Sequence, residues 1–147
     1  MQVRVQKEAF DFGNETNTFA MAQSDMGAIV TFSGIVRNLA KTKLSYMTVE
    51  HYPGMAEKTI NKIVDDAANR WSLGDVLVIH RYGRLAPGDL IMMVATASKH
   101  RKNAFESASY LMDYLKSRAP FWKKEVTDQS QDWVVSKTED ETALQRW

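Results

Sequence analysis

The chain has 147 residues, of which 44% are hydrophobic, and its 19 basic side chains nearly balance its 18 acidic ones. This length suits one domain, residues 1–147, with a sizeable core, and the charge balance gives no electrostatic reason to expect a nucleic-acid-binding or membrane protein. Because the sequence has no cysteine, disulfides and thiolate metal sites are excluded, and any sulfur chemistry needs an outside donor. The sequence shows no apolar run of membrane-spanning length and no signal peptide, so we expect a cytoplasmic protein.

The first part of the chain predicts two strands separated by a weak helix. Met1 to Gln6 alternates apolar and polar residues, and Phe10 to Gln23 is weakly helical. Gly27 to Arg37 alternates over a longer stretch, in which Gly34 predicts a bulge or a close backbone approach. Arg37 ends this strand, where its guanidinium is suited to bind a phosphate or carboxylate, although a surface arginine before a loop fits the pattern equally well.

The middle of the chain predicts a buried helix among strands. Asn38 to Ser45 is polar and predicts a loop that could close over a ligand. The helix is predicted at Met55 to Trp71, with a buried stripe made of Ile60, Ile63, Val64, Ala67 and Trp71. A tight turn at Pro87-Gly88-Asp89 joins the last two of the three strands predicted here, which are Thr48 to Tyr52, Val76 to Tyr82 and Leu90 to Ala97.

The segment from Ser98 to Glu125 holds most of the candidate functional residues. Ser98 is predicted to cap a helix, which would place His100 and Arg101 in its first turn, where free backbone amides and the helix dipole favour an anion. Pro120 ends the helix and forces the chain into a corner. Spacings of three and four predict a buried stripe on this helix, made of Ala104, Phe105, Ala108, Leu111, Met112 and Leu115.

Lys116 and Lys123 flank this corner. An amine close to the rings of Phe121 and Trp122, and close to other cations, can have a lowered pKa and act as a base or nucleophile. The alternative is that these lysines are ordinary solvated cations near a helix C-terminus, and pattern alone favours that alternative.

The remaining elements complete an α+β fold. Phe121 to Thr127 and Asp132 to Val135 predict a final hairpin, and the charged tail that ends in Trp147 is expected to dock rather than stay free. The whole order predicts a mixed, mostly antiparallel sheet, with strands largely paired in hairpins and helices packed on it.

The three histidines do not predict a metal site. Each of His51, His80 and His100 lies in a different element, without a second ligand at helical spacing. We interpret His51 and His80 as structural residues.

Several blocks of the sequence resemble one family, in the same order along the chain. The strongest is Tyr114 to Glu125, which resembles the catalytic (large) subunit of molybdopterin synthase. Phe32 to Asn38, Leu44 to Met55 and Ile79 to Gly83 are similar to the same family, so that the resemblance covers about Gly27 to Trp147.

The resemblance implies a sulfurtransferase and an α/β-hammerhead-like fold. Its reaction converts cyclic pyranopterin monophosphate to molybdopterin, with two sulfurs delivered by a small ubiquitin-like subunit that ends in a glycine thiocarboxylate. The resemblance also implies a homodimer within a heterotetramer, and no cofactor is expected. The generic alternative is a non-catalytic module that binds a nucleotide or single-stranded nucleic acid. The balance of basic and acidic side chains argues against this alternative.

The resemblance also assigns roles to site residues. Lys116 and Lys123 are expected to be catalytic, where sulfur transfer requires proton movement and anion stabilisation. The substrate-binding set that it implies comprises Ile35, Val36, Arg37, His100, Arg101, Lys116, Lys123, Lys124 and Glu125.

Overall fold

The computed structural model describes residues 1–39, 43–135 and 137–147, so residues 40–42 of the predicted loop and residue 136 lie outside the described residues. Its elements, in chain order, are β1 Gln2–Gln6, α1 Phe12–Met21, β2 Ala28–Ile35, β3 Leu44–His51, α2 Met55–Trp71, β4 Asp75–Arg81, β5 Gly83–Leu85, β6 Leu90–Ser98, α3 Arg101–Ser117, β7 Phe121–Thr127, β8 Gln131–Trp133, α4 Thr138–Ala143 and a 3₁₀ turn Leu144–Arg146.

The strands form two four-stranded sheets, ordered β1-β4-β6-β2 and β5-β3-β7-β8. Only β1 and β4 pair in parallel among the described pairings, so the α+β, mostly antiparallel prediction is confirmed. The expectation of hairpin pairing is wrong for β2 and β3, which follow each other in sequence but lie in different sheets. The register of β2 shifts between Gly34 and Ile35, which confirms the predicted bulge.

The first sheet explains why β4 and β6 are nearly continuous apolar runs. Val76 and Val78 join the larger core cluster, whereas Leu77 and Ile79 join a smaller cluster around Phe19 of α1. Because successive strand residues point to opposite faces, both faces of this sheet are covered. The larger cluster also takes in residues of β3, β5, α2 and α3, and it therefore holds the two sheets together.

The predicted α2 has the observed bounds, and all five residues of its predicted stripe are buried. The stripe predicted for α3 is partly wrong, because Phe105 is 63% exposed. The buried face of α3 is instead centred on Ala104, Ala108, Leu111 and Leu115, with Ser107 and Tyr110 beside them. Phe105 lies next to that face and points away from the core.

The tail docks on the fold, as predicted. The Trp147 ring packs edge-on against Trp71 and Tyr110, with ring centroids 5.7 and 5.5 Å apart, and its Nε1 donates to Asp113 Oδ2 at 2.7 Å. Arg146 pairs with the same carboxylate. No helix within the described residues has the length and apolar character that a membrane span requires.

Candidate active site

A cleft of about 190 Å³ opens where α3, β7 and the tail meet. Its polar lining consists of three lysines, one acid and one histidine, and apolar side chains form its walls. The polar residues are Lys116, Lys123, Lys137, Asp140 and His80, and the apolar ones include Leu115, Phe121, Val134 and Val135.

The corner at Pro120 places the two predicted lysines in this cleft. Lys116 lies in the last turn of α3, and Pro120 forbids further helix, so that β7 starts at Phe121. Side chains two apart share a face of a strand, and Phe121 and Lys123 therefore both line the cleft. The sequence prediction that Lys116 and Lys123 flank a common corner is confirmed.

The two lysines have different environments. Lys116 is half exposed, and its Nζ lies 3.5 Å from Asp140 Oδ1. Lys123 is largely buried, and burial together with the charge of Lys116 lowers its pKa below the ordinary 10.5, against the smaller opposing effect of Asp140. The lowered pKa of Lys123 favours its neutral amine, which is the form that can accept a proton.

His80 forms part of the cleft wall, although it is only 3% exposed. Its ring stacks on Phe121 with centroids 3.8 Å apart and planes 16° apart, and Nδ1 lies 2.9 Å from the carbonyl oxygen of Arg81. Burial and then the charge of Lys123 lower the pKa of His80 to about 3. The ring is therefore neutral at ordinary pH.

His100 and Arg101 lie at the opposite end of α3 from the lysines. The helix starts at Arg101 with His100 as its N-cap, so the prediction that Ser98 caps it is wrong. Ser98 is the last residue of β6 and pairs with Ala28. Lys116 comes 15 residues after Arg101 along α3, which at about 1.5 Å per residue separates them by roughly 22 Å. Within one chain, the structure does not bring these two groups together.

Ile35 ends β2, and Val36 and Arg37 follow it, at the end of the strand that lies nearest to the cleft. Met92 of β6 lines the cleft, and it pairs with Gly34 of β2 on one side and with His80 of β4 on the other. The backbone of Val36 is fixed by hydrogen bonds with Asp89 and Gly88, whereas Ile35 and Arg37 are exposed. Arg37 has no ion pair with any described acid and does not line the cleft.

Lys124 and Glu125 follow Lys123 along β7 but do not line the cleft. Strand alternation turns Lys124 to the other face, where its Nζ lies 5.5 Å from the centre of the Trp133 ring. Glu125 shares the face of Lys123 and pairs in register with Met47 and Asp132.

The tail supplies cleft residues that sequence reasoning missed. Lys137 and Asp140 line the cleft, and the tail is held there by Glu141, which accepts two 3.0 Å hydrogen bonds from Arg118. The only available sequence signal was the expectation that the tail docks. Within the described residues, no group of three His, Asp or Glu side chains could hold a metal ion.

Comparisons with known proteins agree with one another. The model of the MoaE protein family matches residues 5–118. The chain is 58% identical over 147 residues to the molybdopterin synthase catalytic subunit of Cereibacter sphaeroides, and the match covers 100% of both chains.

Solved structures give the same result. The molybdopterin biosynthesis MoaE protein from Burkholderia ambifaria superposes with a TM-score of 0.85 at 44% identity, covering 99% of this chain and 97% of the other. Molybdopterin synthase from Staphylococcus aureus gives a TM-score of 0.82 at 30% identity, covering 90% and 96%. The chain therefore belongs to the MoaE protein family.

Proposed function

We propose that the chain, as the catalytic subunit of a molybdopterin synthase, converts cyclic pyranopterin monophosphate to molybdopterin, with two sulfurs taken from the C-terminal glycine thiocarboxylate of a small ubiquitin-like subunit. The observation that carries this proposal is the pair of lysines in one cleft, of which Lys123 is a largely buried amine with a lowered pKa. Family membership supports an enzyme over a non-catalytic binding module. The enzyme acts in the cytoplasm, as one domain.

The cleft suits the chemistry of a thiocarboxylate. Each transfer forms a carbon–sulfur bond on a side-chain carbon of the pyranopterin in place of a carbon–oxygen bond, whose oxygen leaves with the opened phosphate or as water. It also breaks the acyl carbon–sulfur bond of the partner, whose acyl carbon takes an oxygen from water and leaves as a carboxylate. Lys116, half exposed at the cleft, attracts the anionic tail, which competes with Asp140 for its ammonium. Lys123 accepts the proton that the reaction releases and then, as an ammonium, stabilises the developing negative charge.

The complete site needs two copies of the chain. A cleft of about 190 Å³ is smaller than the roughly 300 Å³ at which pockets for small molecules begin. His100 and Arg101, the residues best suited to hold the phosphate, lie too far along α3 to reach the lysines of their own chain. In a homodimer, the second copy brings its His100 and Arg101 to this cleft and enlarges it.

The surface offers a place for such a contact. β2 is an edge strand of its sheet and exposes Phe32 and Ile35, and α3 exposes Phe105 one turn after Arg101. Exposed apolar side chains on an open strand edge are typical of a surface that a partner covers. Light scattering at micromolar concentration should give the mass of a dimer, and a fully active monomer would contradict this assembly.

The other family positions act from the rim of this site. Arg37 binds the phosphate or the pterin from the end of β2, with Ile35 and Val36 shaping the backbone beside it. Lys124 and Glu125, which follow Lys123 on β7, contribute to substrate binding by setting the position of Lys123. Each small subunit occupies one cleft, so that two of them and the homodimer make a heterotetramer.

Reconstitution tests the function directly. The purified chain is mixed with cyclic pyranopterin monophosphate and either the thiocarboxylated or the carboxylated small subunit, and the dithiolene product is measured. We expect product only with the thiocarboxylate, because the chain has no cysteine to supply sulfur. The carboxylated partner should bind without turnover. Product from the chain alone would refute the mechanism.

A further inference from the structure

Arg81 is a buried arginine to which the reaction above gives no role, although it lies in one of the sequence blocks that resemble the family, residues 79–83. It is the last residue of β4, and only 9% of its surface is exposed. A guanidinium keeps its charge inside a protein, and burying a charge costs free energy that an apolar side chain of similar size would not cost. The groups that Arg81 binds therefore indicate what it does.

The hydrogen bonds described for the Arg81 guanidinium all go to backbone carbonyls. Nη1 donates to the oxygen of Leu90 at 3.0 Å, and Nε and Nη2 both donate to the oxygen of Lys7 at 3.3 Å. Asp89, partly exposed, lies 3.9 Å from Nη1 and is the one acid within 4 Å among the described residues. Since the described pairing of β6 with β4 stops at Met92, the Arg81 side chain ties the two strands together beyond the end of that pairing.

Leu90 directly follows a tight turn, residues 86–89, that is closed by its own hydrogen bonds. The Asp89 carboxylate accepts a hydrogen bond from the Ala86 amide at 2.9 Å, and the Asp89 amide donates to the Ala86 carbonyl at 3.0 Å. These bonds define the shape of the turn, whereas the bond from Arg81 to Leu90 fixes its end to β4.

The same turn holds the chain that leaves β2. The Val36 amide donates to the Asp89 carbonyl at 2.9 Å, and the Gly88 amide donates to the Val36 carbonyl at 2.7 Å. Arg37 follows Val36 directly, and its exposed side chain has no ion pair with a described acid. The position of Arg37 is therefore set by the backbone just before it, which the turn holds.

We propose that Arg81 is a positioning residue for substrate binding: its guanidinium fixes the turn 86–89, and the turn fixes the backbone from which Arg37 binds the phosphate or the pterin. An exposed arginine without a partner of its own gains from a fixed backbone, because fewer conformations are given up when the substrate binds. This inference rests on the proposed function, from which it takes the role of Arg37.

The first test measures amide hydrogen exchange on the free chain. Arg81→Met keeps an apolar side chain at this position but has no N–H donor. Gly74, whose amide donates to the Ala97 carbonyl at 2.9 Å at the other end of β4 and β6, reports any general loss of stability. The exchange rate of the Val36 amide, divided by that of Gly74, should rise about tenfold in Arg81→Met. An unchanged ratio would overturn the proposal.

The second test measures steady-state turnover with saturating thiocarboxylated partner. Arg81→Met should raise the KM for the pyranopterin about five- to tenfold, the scale of one hydrogen bond, and should leave kcat within about twofold of the wild type. In an Arg37→Ala background, whose KM is already raised, Arg81→Met should raise the KM no further, because the two residues act through one contact. An unchanged KM, or an equal rise in both backgrounds, would show that Arg81 does not act through Arg37 and would overturn the proposal.

The same sheet offers a matched control. Arg4 of β1 is a partly buried arginine that pairs with Glu15 of α1, far along the chain from the turn. Arg4→Met should leave both the KM and the exchange ratio unchanged, even where it lowers the melting temperature. If Arg4→Met changes them as much as Arg81→Met does, general destabilisation explains the effect and the proposal is overturned.

A second variant keeps the tests decisive if Arg81→Met does not fold. Arg81→Gln places an amide near the position of Nε, where it can donate to the Lys7 carbonyl, but it is too short to reach the Leu90 carbonyl. It should therefore give the exchange ratio and the KM predicted for methionine, and wild-type values of both would overturn the proposal. If the wild-type chain makes no product with the thiocarboxylated partner, the proposed function fails, whereas the exchange ratio still decides whether Arg81 holds Val36.

Discussion

Replacing Lys116 by alanine should separate function from stability. The side chain is 50% exposed and forms one 3.5 Å ion pair with Asp140. A half-exposed pair contributes at most a fraction of a kcal/mol, and alanine is the better helix former, so the free energy of unfolding should change by no more than about 0.5 kcal/mol. If Lys116 attracts the thiocarboxylate and stabilises charge, its loss should cost roughly a hundredfold in rate, or about 3 kcal/mol of barrier.

The chain offers a matched control for this variant. Lys62 is also a helix lysine paired with an aspartate, Asp66 at 2.9 Å, but it lies on α2 and does not line the cleft. Lys62→Ala should alter neither the melting temperature nor the rate appreciably. The assay is single turnover with saturating thiocarboxylated partner, alongside thermal unfolding of each variant. A Lys116→Ala enzyme that turns over within threefold of the wild type would remove this lysine from the mechanism.

Two further variants test the surroundings of the cleft. Lys123→Met should abolish turnover yet raise the free energy of unfolding at pH 7, because the folded state holds a buried lysine whose pKa is lowered. Since the unfolded lysine binds its proton more tightly, this gain in the free energy of unfolding should be full below the folded pKa and vanish as the pH approaches 10.5. Urea unfolding at several pH values measures the gain. A gain independent of pH would contradict a lowered pKa of Lys123. Trp147→Ala removes the ring packing on Trp71 and Tyr110 and the hydrogen bond to Asp113. It should lower the free energy of unfolding by about 1–3 kcal/mol, less than the loss of a fully buried tryptophan. An unchanged urea midpoint would show that the tail does not stabilise the fold.

Local patterns predicted the elements whose ends are marked by special residues. Gly54 precedes α2 and Pro120 precedes β7, and both elements start where predicted. The cap of α3 was wrong because Ser98 is held in β6 by its pairing with Ala28, which a local pattern cannot show. β5 was missed because its three residues are too few for a pattern, and distant parts of the chain fix them: they pair with β3 and Leu85 packs in the larger core cluster.

The candidate site was likewise predictable only where a special residue fixes the geometry of neighbouring segments. Lys116 and Lys123 were found because Pro120 fixes a corner between neighbouring segments. Asp140 and Lys137 were missed because the charged tail has no periodicity, and tertiary contacts, the packing of Trp147 and the bonds of Glu141 with Arg118, bring it back to α3. The distance between Arg101 and Lys116, by contrast, follows from the length of α3 alone. The proposal of a site shared between two copies rests on this distance.

We propose that one working site combines Lys116 and Lys123 of one copy with His100 and Arg101 of another. Lys116→Ala and Arg101→Ala are each expected to be inactive alone, and a mixture of the two variants tests whether the site is shared. After subunit exchange, half of the dimers are mixed and each carries one intact site, so turnover should recover to about a quarter of the wild-type value. A mixture that stays as inactive as its components, although light scattering and differential tags show mixed dimers, would rule out a shared site.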